Sequence, residues 1–496
     1  MGKRSFWGRD DIRAVIDEDF GVPQFYRIGR SYARFIQEQL KSVAAPIMPE
    51  AIWIGVGHDA RLHSPELVAE LIGGLRAEGI NVVSLGLSTS PLVYFSEHLN
   101  ALNPDFPQLT GTLTVTASHN PSEYNGIKFT FSKKTLSEDN FKQLQSIYHA
   151  IADNPEKTSG DELSGKLQTW DILPDYKRWF ELQFKNMFDA AQRPIKIVVD
   201  SGNATAGIVA PDVLRAIGCE VVDIFTEPDG RFPNHHPDPC VHKNLSFLVD
   251  KVKETGADFG VAFDGDSDRL GIVDNSGRIV PGDLITLFLS ESILQGKSEP
   301  SHTVVFDIKA SQIVFDYLGK RNGKARLLPS GHAYMKRVMR EDDILLGGEL
   351  SGHLFFRDRH WGFDDALYGA CRFIEILAAK RRQQPNYQVS DFIDALPPTR
   401  ISEEIRLYCS REEGHRLIEQ LKLTVSKQAD YFGPLAIDVL TIDGLRVNFE
   451  NGFFLVRASH TEPCLTLRFE APDENTYRQI ESRIPELDDS LKATAS

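Results

Sequence analysis

Three stretches of the chain share one hydrophobic plan: an apolar run, an acid at its end, a helical segment, a glycine and a second apolar run. In the first, Ile52–Val56 leads to Asp59, a helix from about Pro65, Gly79 and the run Asn81–Leu85. In the second, Ile195–Val199 leads to Asp200, a helix from about Ala206, Gly218 and the run Cys219–Ile224. In the third, Thr303–Phe306 leads to Asp307, a helix from about Ser311, Gly323 and the run Ala325–Leu328. Each glycine stands where a helix C′ residue is expected. Repeated β-α-β units require right-handed crossovers and predict largely parallel sheets covered by helices. The pattern then changes. Asp438–Ile442, Leu445–Phe449, Gly452–Val456 and Cys464–Phe469 read as an antiparallel meander, flanked by helices near Glu412–Leu421 and Glu474–Arg483. A polar stretch from Asn154 reads as a linker. The organisation predicted is α/β, with three similar mixed α/β domains over 1–165, 166–280 and 281–392 and a C-terminal α+β domain over 393–496.

Length agrees, since 496 residues correspond to three or four domains at roughly 150 residues each. Apolar residues at 41% and charged residues at 25% are ordinary for a globular chain with sizeable cores. A net charge of −15 argues against a nucleic-acid partner, while local arginines still permit anionic substrates. No apolar run is long enough to span a membrane. The first residues carry neither a signal-peptide core nor a myristoylation pattern, position 6 being Phe. The five cysteines form no C-x-x-C pair, so neither zinc nor a disulfide framework is indicated. A reduced, cytoplasmic protein is expected.

Candidate chemistry gathers at the ends of apolar runs. Thr112–Thr116 delivers Ser118-His119-Asn120-Pro121, and Lys128 comes next on what reads as a returning strand that keeps serine and lysine near one edge. Phe259–Phe263 delivers Asp264-Gly-Asp266-Ser-Asp268-Arg269. A presented hydroxyl, with three alternating carboxylates and an arginine, is what metal-assisted phosphoryl transfer through a phosphoserine needs. Carboxylates crowded together repel unless a hard cation sits among them, and oxygen ligands suit Mg²⁺. An EF-hand fails, because its sixth and twelfth positions would be Arg269 and Asn275. A phosphatase that uses a strand-end aspartate as nucleophile is an alternative. Gly55-Val-Gly57-His-Asp-Ala60 has dinucleotide-site spacing, but no acid ends the next strand. Gly160–Leu167 resembles a phosphate loop without its Ser or Thr. No G-x-S-x-G elbow is present. In Gly348-Glu349-Leu-Ser351-Gly-His353, an extended backbone would point acceptor, hydroxyl and imidazole one way, suited to sugar hydroxyls. Arg457-Ala-Ser459-His460-Thr461-Glu-Pro463, between two strands, offers a guanidinium and hydroxyls for a phosphate, or forms a plain surface turn.

These four loops, in this order, resemble those of the α-D-phosphohexomutase family, in particular its bacterial phosphomannomutase/phosphoglucomutase branch. Asp11-Ile-Arg13, Phe232–Pro239 and Gly331-His332 with Lys336 support the resemblance, which covers essentially the whole chain. Departures are Ala14 for Gly, His58 for Arg, Lys243 for Glu and His460 for Asn. The resemblance implies four domains around a central cleft and interconversion of hexose 1- and 6-phosphates. The route would run through phosphorylated Ser118 and a hexose 1,6-bisphosphate, with one Mg²⁺ held by Asp264, Asp266, Asp268 and the Ser118 phosphoryl group. Arg269 would neutralise charge, and His119, Lys128, Arg13 and His353 would share acid/base or charge-stabilising work. Glu349 and Ser351 would grip sugar hydroxyls. Lys309 and His332 would contact phosphate or sugar, and Arg457, Ser459, His460 and Thr461 would hold the distal phosphate. Leu350 matches the mannose/glucose form of its loop, with phosphoglucosamine mutase the runner-up and a metal-dependent sugar phosphatase or a non-catalytic phosphosugar binder behind it. A monomer or dimer is expected.

Overall fold

The computed structural model describes residues 5–9, 11–41, 51–153, 164–185, 187–188, 193–294, 303–459 and 463–494. Two compact units result. The first joins Met1–Val280 to Ser351–Leu354 and Phe363–Val389; the second joins Pro281–Leu350 to Phe355–Gly362 and Ser390–Ser496. The polar linker from Asn154, and the first half of the phosphate-loop look-alike, lie outside the described residues.

The first unit begins with strands β1 (Ile12–Val15), β2 (Trp53–His58), β3 (Asn81–Leu87), β4 (Gly111–Val115), β5 (Tyr124–Phe131), β6 (Lys134–Thr135) and β7 (Leu167–Thr169). They form one sheet in the order β1-β5-β4-β2-β3-β7, with β6 on β5. β2 has parallel partners on both sides, so both its faces are covered and its sequence is apolar or glycine almost throughout. Ile54 and Val56 join the core beneath the helices Val22–Lys41 and Ser64–Ala77. On Val22–Lys41, Phe25, Ile28, Tyr32, Phe35, Ile36 and Leu40 are buried at helical spacing. On its other face β2 turns Gly55 and Gly57 toward the helix Ser90–Leu99; a Cβ on Gly57 would lie 2.6 Å from Val93 Cγ2. The dinucleotide-like spacing therefore records close helix–strand packing.

A second sheet holds β8 (Lys196–Asp200), β9 (Glu220–Ile224), β10 (Phe259–Phe263), β11 (Leu270–Asp274) and β12 (Ile279–Val280), ordered β12-β11-β10-β8-β9. In the second unit, β13 (Thr303–Asp307), β14 (Lys324–Leu328), β15 (Leu346–Gly348) and β16 (Leu354–Phe356) form a sheet ordered β14-β13-β15-β16. The meander comes last, as β17 (Arg400–Ile401), β18 (Ile405–Tyr408), β19 (Asp438–Leu440), β20 (Leu445–Phe449), β21 (Gly452–Ala458) and β22 (Cys464–Ala471). Consecutive strands from β19 to β22 pair antiparallel, and the helices Arg411–Lys427 and Glu474–Glu481 accompany them.

Several expectations are corrected. The first two sheets are mixed rather than largely parallel, because β5, β1, β11 and β12 join antiparallel. The β4–β5 hairpin lies inside its sheet, since β1 covers β5. After Asp200 the chain makes a 3-10 turn at Thr205–Ile208 before the helix Ala210–Ala216. Gly79 and Gly218 take the expected positive φ of 83° and 102°, but in the third β-α-β repeat Asn322, at 57°, does so in place of Gly323. Asparagine tolerates that region better than other side-chain-bearing residues.

Candidate active site

Parallel strands end together, so the loops after β2 and β4 meet at one rim of the sheet. Thr116 Oγ1 donates to Asp59 Oδ2 (2.8 Å) and accepts from Ser118 N (2.8 Å), which folds the chain back immediately after β4. Ser118 adopts φ 52°, a conformation that costs a side-chain-bearing residue on the order of 1 kcal/mol and persists only when its surroundings impose it. Arg61 does the imposing. Fully buried, it donates to Asp59 Oδ2 (3.0 Å) and to the carbonyls of Ser118 (2.9 Å), Asn120 (2.6 Å), Tyr124 (3.0 Å) and Pro121. Arg13, on β1, donates from Nη1 to Asn120 Oδ1 (3.0 Å) and from Nε to Asp11 Oδ2 (2.8 Å). Sequence reasoning missed Arg61, although Asp59-x-Arg61 repeats the Asp11-x-Arg13 spacing at another strand end.

The second loop crosses from β10 to its antiparallel partner β11. Asp264 Oδ1 accepts from the amides of Asp268 (3.0 Å) and Arg269 (3.1 Å), which curls the three carboxylates toward one point. Ser267, at φ 66°, provides the reversal. Asp264, Asp266 and Asp268 are completely buried, and each offers an oxygen within 4.8 Å of the others. Ser118 Oγ donates to Asp264 Oδ2 at 2.8 Å and lies 3.1 Å from His119 Nδ1. Lys128, paired with Thr114 across the β4–β5 ladder, reaches Asp266 Oδ2 (2.6 Å) and Asp268 Oδ2 (2.5 Å). Asp266 also accepts from the Ser90 hydroxyl, and its carbonyl accepts from Ser90 N (2.9 Å).

Arg269 Nε donates to His353 Nε2 (3.1 Å), and His353 Nδ1 lies 3.2 Å from Asp364 and 3.6 Å from Asp268. Asp364 was not anticipated, because nothing in its local sequence marks it. The structure thus brings together Ser118, His119, Lys128, Arg13, the aspartate trio, Arg269 and His353. Burial and the two neighbouring carboxylates push Asp264 well above the ordinary carboxyl range. Burial also works to raise Asp268, but Lys128 and His353 outweigh it and hold that group low. For Lys128 burial opposes the charge, yet Asp266 and Asp268 keep the ammonium firmly protonated. Burial, then Arg269 and Arg13, drive His119 well below the usual imidazole value, so it is neutral at neutral pH.

The donor set around the trio is all oxygen. Asp266 Oδ1 and Asp268 Oδ1 are buried without a hydrogen-bond partner among the described residues. Unpaired buried carboxylate oxygens are costly unless a cation serves them, so this acidic group can hold a hard metal ion.

In the second unit, Arg457 lies at the end of β21 and Lys309 just beyond β13. Lys309 Nζ is 3.2 Å from Asp307 Oδ2. Asp307 also accepts from Ser330 Oγ (3.1 Å) and Leu350 N (3.0 Å). Glu349 is buried and accepts from Gly331 N at 2.7 Å, directly before the helix that His332 opens. Ser459 N donates to Cys464 O (2.9 Å), tying the end of β21 to the start of β22. His460 and Thr461 lie outside the described residues. The expectation of a fully extended Glu349–His353 stretch is corrected. Gly352 takes φ 88°, and a Cβ there would lie 2.6 Å from Leu270 O. The division between units also falls inside this loop, after Leu350, with Ser351 and His353 belonging to the first unit.

Four family models match in chain order. Described as phosphoglucomutase/phosphomannomutase alpha/beta/alpha domains I, II and III and the C-terminal domain, they cover residues 4–155, 179–277, 281–398 and 404–487. A phosphomannomutase/phosphoglucomutase of Pseudomonas syringae is 36% identical over 473 residues, spanning 95% of this chain and 92% of the relative. A phosphoglucomutase of Neisseria gonorrhoeae is 34% identical over 475 residues, 95% of this chain and 94% of its own. A crystal structure of a family protein from Burkholderia thailandensis superposes with a TM-score of 0.84 at 34% identity, covering 98% of this chain and 97% of that one. With its motifs in family order and matches along nearly its whole length, this chain belongs to the phosphoglucomutase/phosphomannomutase family.

Proposed function

We propose that this chain interconverts hexose 1-phosphates and hexose 6-phosphates by way of phosphorylated Ser118 and a hexose 1,6-bisphosphate, with mannose and glucose as its sugars. The observation that carries the reading is the 2.8 Å contact between Ser118 Oγ and Asp264, one of a buried carboxylate trio. Asp264, Asp266 and Asp268 would hold one Mg²⁺, joined by an oxygen of the Ser118 phosphoryl group. When bound, that cation supplies charge neutralisation for phosphoryl transfer. The remaining work belongs to the protein. Arg61 and Arg13 fix the serine loop, so the phosphoryl donor is positioned before substrate arrives. Lys128 and Arg269 set positive charge beside the reacting group. His119, neutral and 3.1 Å from Ser118 Oγ, can take or return the hydroxyl proton, and His353 is the second candidate for a proton at the sugar.

Glu349 and Ser351 would hold sugar hydroxyls. Lys309 and His332 would contact phosphate or sugar, and Arg457, Ser459, His460 and Thr461 would hold the distal phosphate while the bisphosphate reverses between half-reactions. The domains carrying these groups are taken as 1–165, 166–280, 281–392 and 393–496. An Asp264 nucleophile is less favoured, since both its oxygens already accept hydrogen bonds, one from Ser118. Intact-mass analysis after incubation with glucose 1,6-bisphosphate should find one phosphate on the wild type and none on Ser118→Ala. That variant should lose turnover by more than about a thousandfold while keeping its fold. Normal turnover in Ser118→Ala would sink the phosphoserine route. Rates on mannose, glucose and glucosamine 1-phosphates rank the sugars, and a glucosamine preference would overturn the substrate assignment.

A further inference from the structure

We propose that Asp443 is a positioning residue for phosphate binding, one that fixes the Arg457 guanidinium and ties it to the Ser330–Gly331 turn. The inference rests on the phosphosugar reading and assigns a role to a residue that touches no reacting atom. Arg457 Nε donates to Asp443 Oδ2 at 3.0 Å, with both side chains about nine-tenths buried. The same oxygen accepts a longer bond from Ser330 N at 3.4 Å. One carboxylate therefore joins the end of β21 to the turn that precedes the His332 helix. With Nε committed, the terminal guanidinium nitrogens are left for another acceptor, and Nη2 is buried with no partner among the described residues. Bidentate recognition of a phosphate needs this kind of fixed, forked donor.

The local backbone is shaped for the contact. Asp443 and Gly444 form the turn between β19 and β20, and Leu445 pairs with Val456 in the β20–β21 ladder. Gly444, at φ 87°, presses on Arg457 so closely that a Cβ there would lie 2.2 Å from Val456 O and 2.9 Å from Arg457 Cβ. The turn that Asp443 meets is held from its other side by two acids, Ser330 Oγ donating to Asp307 and Gly331 N to Glu349. Arg457, Glu349 and Lys309 thereby share one network, with Asp443 closing it at the Arg457 end.

A carboxylate this near to a bound phosphate would by itself repel it. Asp443 can favour binding only through the geometry it imposes, so the direction of the mutational effect is diagnostic. Mutase turnover is measured on glucose 1-phosphate primed with glucose 1,6-bisphosphate, for the wild type, Asp443→Ala, Arg457→Ala and the double variant. Asp443→Ala should raise KM about tenfold while kcat changes by less than about threefold. In the Arg457→Ala background the same change should add less than about twofold to KM, because a residue that acts through Arg457 has nothing left to position. Asp443→Glu, which keeps the charge and displaces the carboxylate, should also raise KM, and it decides the matter if the alanine variant does not fold. An unchanged or lowered KM in the folded variants, or the full penalty without Arg457, would overturn the assignment. A wild type without turnover would instead sink the phosphohexomutase reading and this inference with it.

Discussion

Ser118 is an ordinary turn residue until its neighbours are known. Its positive φ, the five donations of Arg61 and the contact to Asp264 come from residues scattered along the chain, and together they turn a hydroxyl into a candidate nucleophile. Buried Glu97, on the helix Ser90–Leu99, was equally invisible in the sequence. It accepts from Lys133 N (2.7 Å) and from the hydroxyls of Thr112 and Thr130. Burial pushes its carboxyl from 4.5 up to about 6, because the surrounding hydroxyls and amide do not replace the water it has lost. A folded-state value above the unfolded one means that folding favours the protonated form. This contribution, about 2 kcal/mol, is complete below about pH 4.5 and is lost as pH rises through about 6. Thermal melts between about pH 4.5 and 7 should show Glu97→Gln flattening that portion of the stability curve. An unchanged slope in the variant would place the pH dependence on other groups.

Elements act by where they stop. β4 and β10 end in the serine and aspartate loops, and the two loops touch because Gly265 carries no side chain: a Cβ there would lie 2.3 Å from Ser118 O. Gly265→Ala must separate the loops. Turnover is expected to fall about a hundredfold, since displacements near 1 Å cost about that much at a reacting centre. The melting temperature should drop only a few degrees, because the sheets below the loops are untouched. Turnover within about threefold of the wild type would mean that loop contact is not what aligns the site. Strand placement was legible in the sequence. Runs such as Phe259–Phe263 occupy the residues expected of them, since an interior strand covered on both faces must be apolar throughout. β1 was not legible, because Ile12–Val15 is too short for alternation to be distinguished from a loop.

Across the whole molecule, the three carboxylates impose a charge problem that the described protein atoms solve only in part. Lys128 and the Ser118 hydroxyl serve one oxygen each of Asp266, Asp268 and Asp264, and two further oxygens remain without a hydrogen-bond partner among the described residues. Stripping divalent ions with EDTA should abolish turnover and leave the far-ultraviolet circular dichroism unchanged, with Mg²⁺ restoring activity. Turnover that persists after exhaustive chelation would contradict the metal assignment. The second unit has its own long-range fastening. Buried Arg446 donates to Ala310 O (2.7 Å) and to Ile308 O, and its guanidinium stacks 3.9 Å from the Phe453 ring centroid. Glu470 accepts from Ser311 Oγ (2.6 Å) and Gln312 N (2.7 Å). The closing meander thus grips the loop that bears Lys309, although burial draws the Arg446 guanidinium down to about 9.

Sequence alone determined what depends on neighbours along the chain. The apolar pattern located the strands of the three repeats and of the closing meander, though few of the helices, and four short loops carried the reactive residue types in family order. Tertiary structure decided which loops meet, that β1 seals the hairpin, that Arg61 holds the serine turn, and that Asp364, Asp307 and Asp443 orient their basic partners. The physical reason is that such contacts join residues a hundred or more positions apart in some cases, at spacings no periodicity encodes. Their strength comes from burial and charge, which exist only once the sheets have closed around them.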